Sequence, residues 1–212
     1  MERLPAGGDR FRAEMLSRSQ RDRILTAMSE IVAKRGYQGA SIELIVKRAG
    51  VARATFYENF ENREACLLAC FEEALAECRA QIDSAAELEE DWPGRIHAGL
   101  AAFLGYVAEN PPLARTCLVE LMTAGPVAME RYEQALQSFA PVFARGRGFT
   151  ATSEELPDTL EDSIVGGIVW MVHQRLVRGE AAQVPSLLPT MLEFALAPYL
   201  GEQRAAEVAA ED

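Results

Sequence analysis

Along most of the chain apolar residues recur every three to four positions, the period of helices packed on one side. In 20–35 the stripe is Ile24, Leu25, Met28, Ile31 and Val32, with Ser19 and Asp22 spaced as a capping box before it and Gly36 as a stop after it. A short helix is predicted over 41–49, with Ile42, Ile45 and Val46 inward, and Gly50 ends it. A second runs over 53–60, where Phe56 and Phe60 stand one turn apart. Asn62 is placed to cap a longer helix reaching residue 84, whose stripe is Leu67, Leu68, Phe71, Leu75, Cys78 and Ile82. An acidic stretch and Trp92-Pro93-Gly94 then mark a break. Further helices are predicted over 94–109, 112–124 and 127–145, bounded by Pro or Gly, with Pro141 kinking or ending the last. A loop covers 146–157, and apolar helices over 158–179 and 185–200 lead to a polar, frayed tail. No alternating pattern is long enough to build a sheet, so the fold class is all-α, with about nine helices.

Composition changes this picture little. The chain of 212 residues is 49% hydrophobic and 25% charged, enough for one or two domains with a substantial core. Its longest apolar run, 164–172, falls far short of the about 20 residues that cross a bilayer, so no membrane partner is expected. The first residues contain no signal-peptide segment, which points to the cytoplasm. Cys66, Cys70, Cys78 and Cys117 all fall in helical patterns, not in a disulfide framework. Cys66 and Cys70 share a helix face, but zinc ordinarily takes four ligands and His97 and His173 are remote in sequence. Small buried side chains, no metal and no cofactor are expected.

Charge changes it more. A net charge of −11 argues against a nucleic-acid partner until it is resolved along the chain. Residues 18–57 hold eight basic side chains (Arg18, Arg21, Arg23, Lys34, Arg35, Lys47, Arg48, Arg53) against Asp22, Glu30 and Glu43, a local charge of +5 that leaves −16 to the rest. Such segregation points to an acidic body that would turn its basic end towards DNA, although basic residues also decorate ordinary helix surfaces.

The basic segment contains SIELIVKRAGVARATFYENF, two short helices joined at Gly50-Val51-Ala52 behind a longer one, the parts of a helix-turn-helix. Ile42, Ile45, Val46, Ala49, Val51 and Phe56 form a small core, which leaves Arg53, Ala54, Thr55, Tyr57 and Asn59 on the outward side of the second helix. The run GYQGASIELIVKRAGVARATFYENFENREACLL resembles the N-terminal domain of tetracycline-repressor-type (TetR) family regulators. The resemblance rests on Gly36-Tyr37, Gly39-Ala40-Ser41, Ala49-Gly50-Val51, Thr55-Phe56-Tyr57 with Phe60, and Arg63-Glu64. It implies that Ser41, at a helix N-terminus, binds a backbone phosphate. It makes Arg53 the base reader, because a guanidinium pairs bidentately with a guanine edge. It gives Thr55 a base or phosphate, Tyr57 and Asn59 a phosphate or groove edge, and Arg63 a phosphate just outside the recognition helix. Lys47 and Arg48 would add unspecific attraction, and Ala54 would permit close approach. The sequence departs from the family where Ala52 stands in place of the frequent capping Ser, and where Glu58 and Glu61 lie near the presumed DNA face.

The same resemblance implies a helix-turn-helix domain at 17–62, a ligand-binding and dimerisation domain at 63–200, and flexible tails at 1–16 and 201–212. The last two helices would form a four-helix bundle across a two-fold axis, and Gly166-Gly167 with Ile164, Val165, Ile168, Val169 and Val172 suits that, although a monomer core would need the same residues. Candidate pocket residues are Phe103, Tyr106, Cys117, Met122, Trp170 and His173, each of which could equally be core. Ligand binding would alter the separation of two heads through the helix at 62–84. The expected partners are a palindromic double-stranded DNA operator, an unidentified small and mostly apolar molecule, and a second copy of the chain. The expected role is repression. An enzyme is not expected: the G-x-x-x-x-G-K-[ST], H-E-x-x-H and G-x-S-x-G motifs are all missing. The alternative is a helical regulator that works through protein contacts with weak or no DNA binding.

Overall fold

In the computed structural model, which describes residues 7–151 and 153–210, the chain is helical throughout and contains no strand among the described residues. Helix α1 (Gly7–Gly39) is broken at Gly36, whose φ of 71° and ψ of 163° no helix accommodates. Upstream the structure corrects the sequence reading. The helix passes straight through Ser19, so Ser19 and Asp22 are not a capping box and the proposed tail at 1–16 is helical from Gly7. Residues 1–6 of that tail lie outside the described residues.

Helices α2 (Ile42–Ala49) and α3 (Arg53–Asn59) follow, then the long α4 (Arg63–Ala86), which Asn62 caps by accepting the Ala65 N–H at 2.8 Å. Helix α5 (Trp92–Glu109) begins at the break itself, with Asp91 accepting the Gly94 N–H at 2.8 Å and Pro93 in the first turn, where its missing N–H costs nothing. The element expected over 112–124 is a short α6 (Pro111–Arg115) that loosens into a π turn (Thr116–Glu120) and tightens into a 3₁₀ turn (Leu121–Thr123). The expected single helix over 127–145 is two, α7 (Pro126–Gln137) and α8 (Ala140–Ala144), with Pro141 in the first turn of the second.

Two turns of 3₁₀ helix sit in the expected loop, and then α9 (Leu160–Val177) and α10 (Leu188–Leu200) bracket a further 3₁₀ segment. A last helix, α11 (Glu202–Ala209), replaces the frayed tail. Ala205, Val208 and Ala209 are buried in the core, which holds the segment down.

The core has two parts. One joins α1, α2, α3 and the first half of α4, and also takes in Cys117, Leu121, Tyr132 and Ala135 from the body. The other is built on α5, α9, α10 and α11, around Leu104, Ile164, Met191, Leu192 and Leu196. Helices α4 and α5 run side by side between them.

Candidate nucleic-acid interface and the cavity behind it

The turn between α2 and α3 is fixed by Gly50, which sits in the left-handed region (φ 64°, ψ 39°) and returns its N–H to Val46 O, as does Val51 at 3.1 Å. Arg23 on α1 donates to Gly50 O at 3.0 Å and ties the turn to the first helix. Phe56 is fully buried, 5.7 Å from the Phe60 ring and edge-on to Tyr57 at 5.6 Å. Burying such a ring contributes about 1.5–3 kcal/mol. These contacts hold α3 at a fixed angle.

The outward face of α3 carries Arg53, Ala54, Tyr57 and Glu58, all exposed. Arg53 and Tyr57, one turn apart, form a unit: Nη2 donates to the Tyr57 hydroxyl at 3.3 Å, and the guanidinium lies 5.7 Å from the ring centre. That bond raises the guanidinium pKa further above its ordinary value, so the charge is permanent. Thr55 and Asn59 are half-buried, and Asn59 spends an amide donor on Thr55 O at 2.8 Å. Ser41 caps α2 by accepting the Leu44 N–H at 3.3 Å. Lys47 is exposed, whereas Arg48 is paired with Glu30, Nη2 to Oε1 at 2.8 Å.

Arg63 sits differently from the exposed residues. Its guanidinium stacks 4.2 Å above the Tyr37 ring and donates to Ala40 O at 2.8 Å, locking α4 to the end of α1. Ala52 has the extended conformation of an N-cap (φ −73°, ψ 154°) but no side chain to accept a bond, so the first turn of α3 is uncapped. Glu58 shares the exposed face with Arg53, and Glu61 is exposed beside it. The sequence reading missed Arg23, and Arg21, which pairs with Glu73 of α4; their only trace in the sequence was their place in the basic run.

Behind this head, between α4, α5, α7 and α9, lies a cavity of about 620 Å³, within the range typical of ligand sites. Its wall includes Phe103, Tyr106 and Cys117 of the sequence candidates but not Met122, Trp170 or His173. Trp170 is 60% exposed on α9 and stacks on His173 at 5.1 Å; Met122 packs in the head-side core instead. The lining the sequence did not reveal is the inner stripe of α4, Phe71 through Ile82, and the facing Ile96, Gly99 and Leu100 of α5. A helical stripe reads the same whether it faces side chains or a void.

Burial pushes the Cys78 thiol up to about 11 and the Cys117 thiol well above its usual value. Both wall cysteines are therefore protonated, weakly polar surface at neutral pH. The Tyr106 hydroxyl turns outward to Glu77 Oε2 at 3.2 Å. Charged wall residues are Arg79, Asp83, Glu87, Arg95 and Arg145; the last four are exposed, at the far end from the head. Among the described residues no three His, Cys, Asp or Glu side chains gather to hold a metal ion.

Comparison with known proteins agrees with this geometry. Residues 24–70 match the family of bacterial regulatory proteins described as the tetR family. The chain is 31% identical over 109 residues to the transcriptional activator FasR of Mycolicibacterium smegmatis, spanning 51% of this chain and 50% of that protein. It is 27% identical to the regulator EthR of the same organism, over 87% of this chain and 81% of that one. The chain thus spans about half of FasR, and 40% of the Escherichia coli TetC protein, to which it is 29% identical over 38% of its own length. In structure it superposes on the fatty acid degradation regulator FadR of Bacillus halodurans with a TM-score of 0.75, at 21% identity, over 84% of this chain and 94% of that one. FadR of Bacillus subtilis, solved in complex with stearoyl-CoA, gives 0.70 at 19% identity, over 82% and 97%. At that identity the superpositions establish the fold.

Proposed function

This chain belongs to the tetR family of bacterial regulatory proteins, and on that premise we propose that it is a transcription regulator that binds palindromic DNA as a homodimer and releases it on binding a ligand. The observation that carries the reading is the exposed Arg53–Tyr57 pair on a helix whose angle is fixed by Phe56 and Gly50. Arg53 reads a guanine edge, with Ala54 leaving room for the backbone to approach. Tyr57, Thr55, Ser41 and Lys47 take phosphates or groove edges, Asn59 and Arg48 contribute only after giving up an existing bond, and Arg63 positions the head. Residues 17–62 act as the head and 63–200 as the body, in the cytoplasm, where the DNA is.

A second copy would pack on α9 and α10, where Trp170, Val177 and Phe194 are 60, 50 and 44% exposed and the Phe194 ring lies on Gly167. Two recognition helices would then stand about 34–36 Å apart. The ligand has a long apolar chain and a polar head, which an apolar cavity with one charged end suits, and FadR of Bacillus subtilis was solved with stearoyl-CoA. We favour repression, relieved by the ligand, as the direction of control.

The test is a titration of the full chain against random and selected palindromic DNA at several salt concentrations. The expected logarithmic slope is about −0.9 per phosphate neutralised, and Arg53→Ala should relax base preference by about 1–3 kcal/mol at one position. One specific feature favours a second reading, regulation through protein contacts: Glu58 is exposed on the presumed DNA face beside an uncapped helix. A folded dimer without salt-dependent DNA affinity would select it.

A further inference from the structure

Glu58 is exposed on α3 and, among the described residues, forms no ion pair, whereas Glu30 of the same head is held by Arg48. At about 100° per residue, the exposed Arg53, Tyr57, Ala54 and Glu58 cover an arc of about 140°. The buried Phe56 and the half-buried Thr55 and Asn59 take the other side. Arg53 and Glu58 bound the exposed arc, one at each edge. Glu58 follows Ala54 by one turn on the same line, so the side chain beside it that faces outward is only a methyl group. From Arg53 to Asn59 the helix rises about 9 Å, less than the width of about 12 Å of a major groove. A helix this short, seated in that groove, has its last turn over bases as well as its first.

That last turn is unsuited to phosphate. It carries no basic residue, and the C-terminal end of a helix is itself partly negative. A carboxylate placed there adds to the repulsion and gains only from a hydrogen-bond donor. In the major groove the donors are the amino groups of cytosine and adenine. Adenine sets its N7 acceptor beside the amino group, guanine shows two acceptors, and thymine shows an acceptor and a methyl group. Cytosine alone offers a donor with no acceptor of its own beside it.

We propose that Glu58 is a second base-reading residue, which selects cytosine in each operator half-site by accepting a hydrogen bond from the N4 amino group. This rests on the DNA-binding reading above. Glu58 lies five residues after Arg53, about 7.5 Å along the helix axis, so its cytosine falls about two base pairs from the guanine that Arg53 reads. The carboxylate weakens binding to every sequence through its charge, and offsets that loss only where the cytosine amino group meets it. Glu58 thus lowers affinity for random DNA and raises discrimination, two effects of opposite sign from one side chain.

The experiment uses the full chain and a library of double-stranded fragments randomised over the half-site, bound at about 0.1 M salt and sequenced. The parent should select cytosine at one position of each half-site, about tenfold over the other bases. Glu58→Gln should move the preference at that position alone to adenine, whose N6 and N7 pair with a side-chain amide. Glu58→Ala should lose the preference there while binding random DNA about threefold more tightly. Arg53→Ala should change a different position, about two base pairs away.

A Glu58→Ala variant that binds every sequence more tightly with its preferences unchanged would overturn the proposal, since Glu58 would then only repel. A variant with neither change would overturn it too, as would a parent that selects no cytosine. Absence of salt-dependent DNA binding by the parent would overturn the DNA-binding reading itself, and the proposal with it. Selection by the parent needs no variant, so it decides even if the substituted chains fail to fold.

Discussion

At the scale of single residues, the head is held by side chains bonded to the protein itself, and the proposed DNA face is made of exposed ones. Arg23, Arg48 and Arg63 each hold a carbonyl or carboxylate of the protein, whereas Arg53, among the described residues, bonds the exposed hydroxyl of Tyr57. Ala52 is the weak point. Its backbone has the extended geometry of an N-cap with nothing to accept an N–H, so Ala52→Ser should stabilise the head by about 0.5–2 kcal/mol, read as a higher denaturation midpoint. No gain would mean that α3 is already held by Phe56 packing alone. Ser41, Gly50 and Asn62 were legible because caps and turns are decided within three or four residues of chain. The stacking of Arg63 on Tyr37 was not, because nothing local distinguishes an arginine aimed at phosphate from one laid over a ring 26 positions earlier.

At the scale of elements, periodicity located the helices, and their ends failed where distant contacts set them. α1 runs on past Ser19, and α11 exists because Ala205 and Val208 find a core to enter. The segment before α9 is ordered by a charge clamp. Arg147 reaches Glu161 through Nε at 2.7 Å and Nη2 at 3.0 Å and also donates to Pro157 O at 2.7 Å, and Tyr199 donates to Glu161 at 2.9 Å. The Arg147 bond, more than any other contact, holds the Glu161 carboxyl below its ordinary value of 4.5, against the opposing effect of burial. A carboxyl lowered in the folded state stabilises the fold above its unfolded pKa and loses that contribution as pH falls through the folded one. Glu161→Gln should therefore lower the melting temperature near neutral pH, and its deficit should shrink below about pH 4.5. Melting curves recorded on acidification check this; a deficit that stayed constant would mean the carboxylate charge contributes nothing.

At the scale of the molecule, the least legible feature was the cavity, because a void is a property of how several stripes fail to meet and no stripe records it. Three of the six proposed lining residues reached its wall, all on α5 or the π turn that closes it, while Trp170 went to the outside of α9 with the half-buried His173 stacked on it. Such a large exposed ring predicts association. Trp170→Glu should weaken the proposed dimer by about 2 kcal/mol or more, roughly thirtyfold, in sedimentation at concentrations where the parent is paired. A variant that remains equally dimeric would move the interface elsewhere.

The position of the cavity's exposed, charged end has a kinetic consequence. Asp83 lies near the end of α4 remote from Arg63, about 30 Å along that helix from the head, and Arg95, in the first turns of α5, lines the same cavity. In the proposed DNA complex this exposed, charged end would face away from the duplex. The proposed ligand could then exchange on the DNA-bound regulator without waiting for it to leave its site. The delay between a change in ligand level and a change in occupancy would then be set by passage past those charged residues, not by the lifetime of the DNA complex.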